Sequence, residues 1–327
     1  MPIAYFNMSF LLIDNIYRRT IMYTFITNPN ARSGLGIQMW KSIELVLKEK
    51  NILYEVFFTK YQHHATKIVR QITADHEPHT IIVLGGDGTI NEVISGIVDL
   101  AKVTLGYIPI GSSNDFARGL NLPTDPARAL ENILAPSHYT PLNIGVLEYE
   151  DKKRRFAVST GIGFDAGVCH EVMVSKLKIL LNKLKLGKLT YAGVALHRIL
   201  TISPKKMTIT LDDERKIEFE KVYFATAMNL AYEGGGFKFC PKARPNDDLL
   251  DIIVVSDMPK LKILALLPTA FKGWHTHFKG IHIDSCRKID IVSEVSLPIH
   301  TDGEPVFQRK HIQAYLEPEK IRLISAP

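Results

Sequence analysis

Short apolar runs that resemble strands alternate with amphipathic segments that resemble helices through the first third of the chain. The strand-like runs are Tyr23–Thr27, Leu53–Thr59, Thr80–Leu84 and Thr104–Ile110. The helix-like segments are Ile37–Lys50, His64–Ala74 and Ile90–Leu100. Because successive strands separated by helices are joined by crossover connections, this order predicts a parallel sheet covered by helices.

The pattern changes from about Ile144 onward, where short alternating segments dominate and turn residues separate them. These segments are Arg155–Thr160, Met207–Leu211, Lys216–Phe219, Val222–Met228, Leu250–Val255, Lys288–Val292 and His311–Leu316. Such spacing predicts an antiparallel, sandwich-like domain. Two helical insertions are expected to interrupt it, near Val172–Leu200 and Lys260–Lys272.

The two patterns together predict a mixed α/β fold with two domains. A Rossmann-like α/β nucleotide-binding domain would comprise residues 22–143 together with about 313–327. The last strand, near Lys320–Ile324, would return to this first domain. An antiparallel β-sandwich domain would take residues 144–312. Residues 1–21 lack the basic start and cleavage site of a signal peptide, and we expect an extension that plays no part in the fold.

Composition and charge restrict the function only weakly. The 40 Lys and Arg residues exceed the 34 Asp and Glu residues, and the formal charge of +6 favours acidic partners such as phosphates, nucleotides or anionic lipid surfaces. No stretch approaches the roughly 18 apolar residues of a spanning helix. No basic groove interleaved with aromatic residues suggests nucleic-acid binding, so we expect no nucleic-acid partner.

A glycine-rich loop, Gly85–Gly86–Asp87–Gly88–Thr89, lies between the third strand-like run and a helix-like segment. Backbone N–H groups at the start of a helix attract anions, and phosphate is a common occupant. An aspartate inside such a site requires a cation, which the Mg²⁺ carried by ATP would supply. The alternative is a plain Asp-Gly turn with Thr89 as helix cap. The loop matches neither the P-loop nor the dinucleotide-binding pattern.

Two further polar loops follow strands of the same predicted sheet. Asn28–Gly34 follows the first strand, and Gly111–Asp115 follows the fourth. Ligands bind at the carboxyl ends of parallel strands, so the three loops can converge, with Asp87 and Asp115 facing each other across a metal. The alternative for the Gly111–Asp115 loop is simple capping of the next helix.

These segments resemble the diacylglycerol kinase catalytic domain shared by bacterial lipid kinases, sphingosine kinases and ceramide kinases. The resemblance runs from about Met22 to the C-terminus and implies ATP and Mg²⁺ as cofactors. It implies that the nucleotide is bound by Asn28, Pro29, Asn30, Ala31, Arg32, Thr59, Gly85, Gly86, Asp87, Gly88, Thr89, Ile90, Asn91, Glu92 and Ser112. NAD kinases share the Gly-Gly-Asp-Gly loop, but the Asn-Glu pair directly after it is similar to the lipid kinases.

The turn Thr301–Asp302–Gly303–Glu304 is similar to the segment that carries the acid-base residue of this family. A kinase must position the attacking hydroxyl and accept its proton. The resemblance therefore implies Glu304 as the general base, with Asp302 orienting it or the substrate, and Asp87 and Asp115 completing the catalytic set. The alternative from the residues alone is an exposed Asp-Gly turn.

The segment Phe239–Asp251 is similar to the part of the family that holds a structural Mg²⁺. By position, the ligands would be the Asp247 side chain and the backbone carbonyls of Arg244 and Leu249, hard oxygens that suit Mg²⁺. Asp248 replaces the glycine that is usual there. The alternative is a solvated acidic turn. Upstream, the glycines of Glu233–Phe237 permit a close backbone approach near the cleft.

The resemblance implies phosphorylation of 1,2-diacylglycerol to phosphatidate by an enzyme in the cytoplasm, peripheral at the inner face of the membrane. Two basic, apolar stretches could contact an anionic membrane surface, Glu171–Leu200 and Lys260–Lys279 with Trp274; the alternative is a solvated helix face. A homodimer is left open. The competing functions are a kinase of another lipid or of a soluble substrate such as NAD, and a non-catalytic sensor of nucleotide or lipid.

Overall fold

The computed structural model describes residues 21–163, 166, 199 and 201–326. Nearly all of the predicted extension, the helical insertion near Val172–Leu200 and the basic stretch Glu171–Leu200 lie outside the described residues, apart from isolated positions. Among the helices that are described, none is long and apolar enough to cross a membrane.

A six-stranded sheet forms in the N-terminal part, as the alternation of strands and helices predicts. Its strands are β1 (Tyr23–Thr27), β2 (Tyr54–Phe58), β3 (His79–Gly85), β4 (Val103–Pro109), β5 (His138–Leu142) and β15 (Ile321–Ser325). The strand order is β2-β1-β3-β4-β15-β5. All neighbours are parallel except β5, which runs antiparallel to β15. The return of the last strand to this sheet agrees with the expectation.

Helices cover both faces of this sheet because the central strands are apolar on both sides. The described helices are α1 (Ala31–Glu49), α2 (His64–Ile72), α3 (Asp87–Gly96), α4 (Asp115–Gly119) and α5 (Pro126–Leu134), with short 3₁₀ turns at Thr73–Asp75 and Leu100–Lys102. One core cluster packs around α2 and α3 and the other around α1 and α5. The predicted α/β unit is confirmed.

The remaining strands form a nine-stranded antiparallel sheet that folds into a β-sandwich, as predicted. They are β6 (Gly145–Tyr149), β7 (Lys152–Phe156), β8 (Ser159–Gly163), β9 (Lys205–Leu211), β10 (Arg215–Met228), β11 (Leu250–Ser256), β12 (Ile281–Cys286), β13 (Lys288–Thr301) and β14 (Glu304–Leu316). Strands β10 and β13 each pair with β9 through one half and with β8 through the other. This double pairing joins the two layers.

Several predicted segments of this half had wrong bounds. Arg155–Thr160 is two strands, β7 and β8, because the chain bends at Ala157–Val158. Conversely, Lys216–Phe219 and Val222–Met228 belong to one strand, β10, which a register shift interrupts between Phe219 and Val222. At a bulge, one extra residue in the strand reverses which side chains face the core. The alternation of apolar and polar residues is broken there, so the sequence pattern wrongly predicts the end of a strand.

The predicted insertion after residue 259 is helix α6 (Lys260–Ala270), followed by a 3₁₀ turn at Trp274–His277. The division of the chain into domains stays a prediction, with one adjustment. Strand β14 keeps residues 313–316 in the second sheet, so the return to the first begins at about Glu317 rather than at about residue 313. The bend at Ala157–Val158 and Leu230 pack into the core beside α3, joining the two units.

Candidate active site

The glycine loop after β3 and the loop after β4 are in direct contact. A Cβ atom built on Gly86 would lie 3.1 Å from the Cα atom of Gly111, and one built on Gly111 would lie 2.7 Å from the Cα atom of Gly86. Larger residues therefore cannot pack here. Helix α3 begins at Asp87, directly after the extended Gly86, and the first N–H groups of a helix have no partner within it. The arrangement provides donors for a phosphate group.

The loop after β1 joins the same edge of the sheet. Arg32, Ser33 and Gly34 are all left-handed, with φ values of 46°, 61° and 95°, a conformation that residues with a Cβ adopt rarely. The Asn28 side chain donates to the Thr89 hydroxyl at 3.3 Å. The Thr59 N–H group bonds to the Thr27 carbonyl at 2.9 Å, which places Thr59 beside the end of β1. Three of the predicted binding loops thus meet, as expected from the strand ends.

Asp87 and Asp115 form a buried acidic pair between the loops. The Asp87 carboxylate accepts the N–H groups of Asp115 and Phe116, each at 3.2 Å. Burial, together with the negative charge of Asp115, raises the pKa of Asp87 to about 6. Crowded carboxylates whose ionisation is disfavoured are stabilised by a cation. These two side chains therefore fit the predicted Mg²⁺ of a nucleotide.

The glycine-rich segment before β11 also contacts this pair. The Gly235 N–H group donates to the Asp115 carboxylate at 2.6 Å, and Arg118 pairs with its other oxygen. Gly234, Gly235 and Gly236 all have positive φ, so the turn requires glycine. The close approach was predicted, but the Asp115 contact and the Arg118 partner were not. The spacing of Arg118 one helical turn after Asp115 is a local signal for the Arg118 pair, whereas no local signal indicates the Gly235 contact, which spans 120 positions.

Glu304 from the β-sandwich faces the glycine loop of the other sheet. A Cβ atom built on Gly88 would lie 3.2 Å from Oε1 of Glu304, and an Arg154 guanidinium nitrogen lies 3.4 Å from Oε2. Burial raises the pKa of Glu304, which the positive charge of Arg154 opposes. The predicted base therefore lies against the predicted phosphate loop, although 216 positions separate Gly88 from Glu304 in the sequence.

The position of Glu304 is set by a tight hairpin. Asp302 and Gly303 are both left-handed, with φ values of 48° and 76°, and they connect Thr301 to its cross-strand partner Glu304. Two left-handed residues between paired strands are typical of a type I′ turn, for which Asp-Gly is a preferred sequence. Glu304 is consequently the first residue of a rigid strand rather than part of a free loop.

The Asp302 carboxylate holds this hairpin to the neighbouring chain. It accepts the N–H groups of Ala157, Val158 and Ser159 at 2.8 to 2.9 Å and the Asn91 amide at 2.6 Å. Four donors occupy its two oxygens, which leaves little capacity for a substrate. Of the two roles expected for Asp302, its contacts favour orientation of Glu304 over contact with the substrate.

Three residues of the predicted nucleotide set have their side chains engaged by protein. Asn91 bonds to Asp302, and Glu92 accepts the N–H groups of His63 and Ala65 at the start of α2. Ile90 is buried in the core. The role of these three residues in binding the nucleotide stays a prediction.

A cavity of about 700 Å³ lies between helices α2 and α3 and the β-sandwich. Its lining includes the side chains of His63, Arg70, Asn91, Glu92, Lys153 and Arg154. Arg154 also contacts Glu304, so the cavity adjoins the candidate base. The lining also includes Val146, Tyr315 and Pro318, and its charged and amide groups provide hydrogen-bonding partners for a hydroxyl-bearing group.

The predicted structural metal site lies on the surface loop before β11. The exposed Asp247 carboxylate accepts the Leu249 N–H group at 3.2 Å. Asp248 adopts φ 63°, a left-handed conformation that glycine adopts readily and that aspartate tolerates. Its carboxylate bonds to Lys320 at 2.7 Å and to Asn143 at 2.9 Å. Within the described part of the chain, no three His, Cys, Asp or Glu residues are grouped to hold a metal, so a Mg²⁺ here stays a prediction that depends on Asp247 and backbone carbonyls.

Comparison with known proteins identifies relatives of both halves. Residues 22–146 match the family described as the diacylglycerol kinase catalytic domain. Residues 158–325 match the family described as the YegS C-terminal NAD kinase beta sandwich-like domain. Between them, the two matches leave out residues 147–157, which contain β7 and part of β6.

Individual relatives span nearly the whole chain. It is 33% identical to the "Putative lipid kinase YtlR" of Bacillus subtilis, over 86% of this chain and 92% of that protein. It is 27% identical to a diacylglycerol kinase of Staphylococcus saprophyticus, over 85% and 87% of the two chains. The crystal structure of a "putative diacylglycerol kinase" from Bacillus anthracis superposes with a TM-score of 0.74 at 26% identity, covering 94% of this chain and 96% of that one.

Proposed function

The chain belongs to the diacylglycerol kinase and YegS-like family of lipid kinases, and from that premise we propose that it transfers the γ-phosphate of ATP to 1,2-diacylglycerol, giving phosphatidate and ADP. The observation that carries the proposal is the contact between Glu304 and Gly88. It brings a carboxylate from one sheet to the phosphate-binding loop of the other. Phosphoryl transfer needs this combination of an anion site and a proton acceptor.

The nucleotide would lie along the edge formed by the loops after β1, β3 and β4. The N–H groups at the start of α3 would bind its phosphates, with Asn28–Arg32, Thr59 and Ser112 beside them. Asp87 and Asp115 would hold the accompanying Mg²⁺, which neutralises charge on the transferring phosphate. Arg118 and Gly235 fix the orientation of Asp115, so the acidic pair is preorganised before the nucleotide binds.

Glu304 would accept the proton of the attacking lipid hydroxyl. Its partial burial keeps water away from the carboxylate, and its raised pKa makes it a better base than an exposed glutamate. The polar cavity beside Arg154 offers space for the glycerol part of the acceptor. The acyl chains would stay outside it, at the membrane surface from which a peripheral enzyme in the cytoplasm would take its substrate.

The choice of acceptor can be tested with a panel of hydroxyl-bearing substrates. We expect transfer of labelled γ-phosphate from ATP to diacylglycerol in mixed micelles, with phosphatidate identified by mass spectrometry. Faster transfer to another lipid would retain the lipid kinase and change its substrate. Transfer to NAD alone would replace the proposal by a soluble-substrate kinase, and transfer to none of them, with intact nucleotide binding, would favour a non-catalytic sensor.

The pH dependence should report on Glu304 through its neighbour Arg154. The base must be ionised, so activity falls as the pH drops through its pKa. Replacing Arg154 by methionine removes the positive charge that lowers this pKa, and the acidic limb of the kcat/KM profile should therefore move to higher pH. The profile is measured by the same transfer assay over a range of buffers.

The matched control for this variant is Lys153→Met. Lys153 is the adjacent cation, and its ammonium group pairs with Glu148 at 3.2 Å rather than with Glu304. Its replacement should leave the acidic limb in place. Equal profiles for Arg154→Met and the parent enzyme would show that Glu304 is not the group that controls this limb.

A further inference from the structure

Helix α6 and the turn after it expose an unusual amount of apolar surface. The exposed fractions are 75% for Leu261, 63% for Trp274, 49% for Phe271 and 40% for Phe278. These four residues lie within one segment of 18 residues: Leu261 is on the helix, Trp274 is on the 3₁₀ turn, and Phe271 and Phe278 directly follow these two elements. Single exposed apolar residues are common, whereas a cluster marks an interaction surface.

The same segment is basic without compensation from acidic residues in its own sequence. Lys260, Lys262, Lys272 and Lys279 lie between positions 258 and 283, and that interval contains no Asp or Glu. We call Lys262, Lys272 and Lys279, with Leu261, Phe271, Trp274 and Phe278, the α6 face. Its combination of tryptophan, phenylalanine and leucine with lysine is typical of elements that lie in the interface of an anionic bilayer.

The α6 face is connected to the candidate active site by stacked aromatic rings. The Phe271 ring stacks on that of Phe237 with centroids 4.2 Å apart, and Phe237 stacks on Phe239 at 5.5 Å. Phe237 also closes the glycine-rich turn through paired backbone bonds with Glu233, the turn whose Gly235 contacts Asp115. A path through the Phe271 and Phe237 rings and the glycine-rich turn, which we call the aromatic path, therefore connects the exposed surface to the acidic pair.

We propose that the α6 face is the surface by which this protein docks on an anionic phospholipid bilayer. The proposal rests on the lipid kinase function, since an acceptor with acyl chains must be reached at a membrane. Apolar rings would enter the headgroup region, and the lysines would pair with lipid phosphates. Docking there would bring the aromatic path, and the active site behind it, to the bilayer surface.

The charge pattern favours a bilayer over a protein partner. Lysine is depleted in the buried centres of protein–protein interfaces, but here lysines directly flank the exposed apolar side chains. An interface with a second copy of the chain would bring the lysines of both copies together, where like charges repel each other. An anionic lipid surface provides both a hydrocarbon phase and the opposite charge.

Vesicle binding tests the proposal separately from catalysis. We would use protein carrying Glu304→Gln, so that turnover plays no part, and measure co-sedimentation with vesicles of phosphatidylcholine alone or mixed with phosphatidylglycerol. We expect binding to the mixed vesicles and little to the neutral ones. Adding Leu261→Ser and Trp274→Ser to this protein should weaken the binding about tenfold or more, because two apolar side chains no longer contribute the free energy of transfer into the membrane interface. Added Lys272→Glu and Lys279→Glu should weaken it at least as much.

The matched control is the pair Leu45→Ser and Leu53→Ser, which removes two exposed leucines, 63% and 54% exposed, from the other sheet's domain. Control protein should bind the mixed vesicles like the parent. Equal loss in the control, unchanged binding in the α6 variants, or absence of binding by the parent would overturn the proposal. A change in sedimentation coefficient of the α6 variants without vesicles would instead assign the face to self-association.

The result is distinguishable from a failure of the proposed function. If no lipid in the substrate panel is phosphorylated while the α6 variants still lose vesicle binding, the activity is wrong and the docking surface stands. If diacylglycerol is phosphorylated and the α6 variants bind like the parent, the activity stands and the surface is wrong.

Discussion

Replacing Glu304 by glutamine should lower kcat for lipid phosphorylation by about two to four orders of magnitude, the range attributed to a positioned general base. Glutamine has nearly the same shape but cannot accept the hydroxyl proton. Because the hairpin and the loops contacted by nucleotide stay in place, we expect nucleotide affinity to change little. Steady-state transfer assays and a nucleotide-binding titration on the same protein would measure the two effects.

The control for this variant is Glu148→Gln, which alters a glutamate on β6 paired with Lys153 at the surface. It should retain nearly full activity. Retention of more than about a tenth of the parent kcat by Glu304→Gln would contradict the assignment of the base, since the loss would then be below the usual contribution of one. If Glu304→Gln has a much lower melting temperature, the circular dichroism spectrum would give the fraction of folded protein. Full activity per folded molecule would then also contradict the assignment of Glu304 as the base.

Replacing Asp302 by alanine should lower the free energy of unfolding by about 3 kcal/mol or more, the largest stability effect that we expect from a single carboxylate here. The change leaves three backbone N–H groups and the Asn91 amide without their acceptor. It should also lower kcat, because Glu304 follows the hairpin that Asp302 holds. Urea unfolding, followed by fluorescence, and the transfer assay measure the two consequences.

Asp213→Ala is the comparison for Asp302. Asp213 also lies in a hairpin turn, between β9 and β10, and its exposed carboxylate pairs with Lys288 at 2.8 Å. An exposed ion pair contributes little, so this variant should unfold nearly like the parent. If Asp302→Ala lowered the free energy of unfolding no more than Asp213→Ala, the Asp302 carboxylate would not be the group that holds the hairpin to α3.

Strand ends were the part of the site that sequence could predict. A parallel sheet places its carboxyl ends along one edge, so Asn28, Gly86 and Gly111 had to follow neighbouring strands and could meet there. The Asp-Gly turn before Glu304 could also be predicted from the sequence, since the type I′ conformation has strong residue preferences. The opposition of Glu304 to the glycine loop followed from family resemblance, because no local pattern connects positions so distant.

Contacts between remote segments could not be predicted in this way. Asn91 was expected to bind nucleotide because it follows the glycine loop directly, yet the helix turns its amide toward Asp302, 211 positions away. Likewise, Gly235 bonds to Asp115 across 120 positions. Such pairs depend on how the two sheets pack, and a periodicity that is read over a dozen residues carries no information about that packing.

Strand β15 lies between β4 and β5 in the first sheet, although it follows all the strands of the second sheet in the sequence. A ribosome that has delivered everything up to β14 has therefore still produced a first sheet in which β5 has no strand joining it to β4. The first sheet therefore cannot be completed before the β-sandwich is translated, because the sandwich strands lie between β5 and β15 in the sequence. Nascent chains of this protein thus cannot follow the domain-by-domain order of cotranslational folding, and a stop codon directly after β14 would remove the strand that joins β5 to the rest of its sheet.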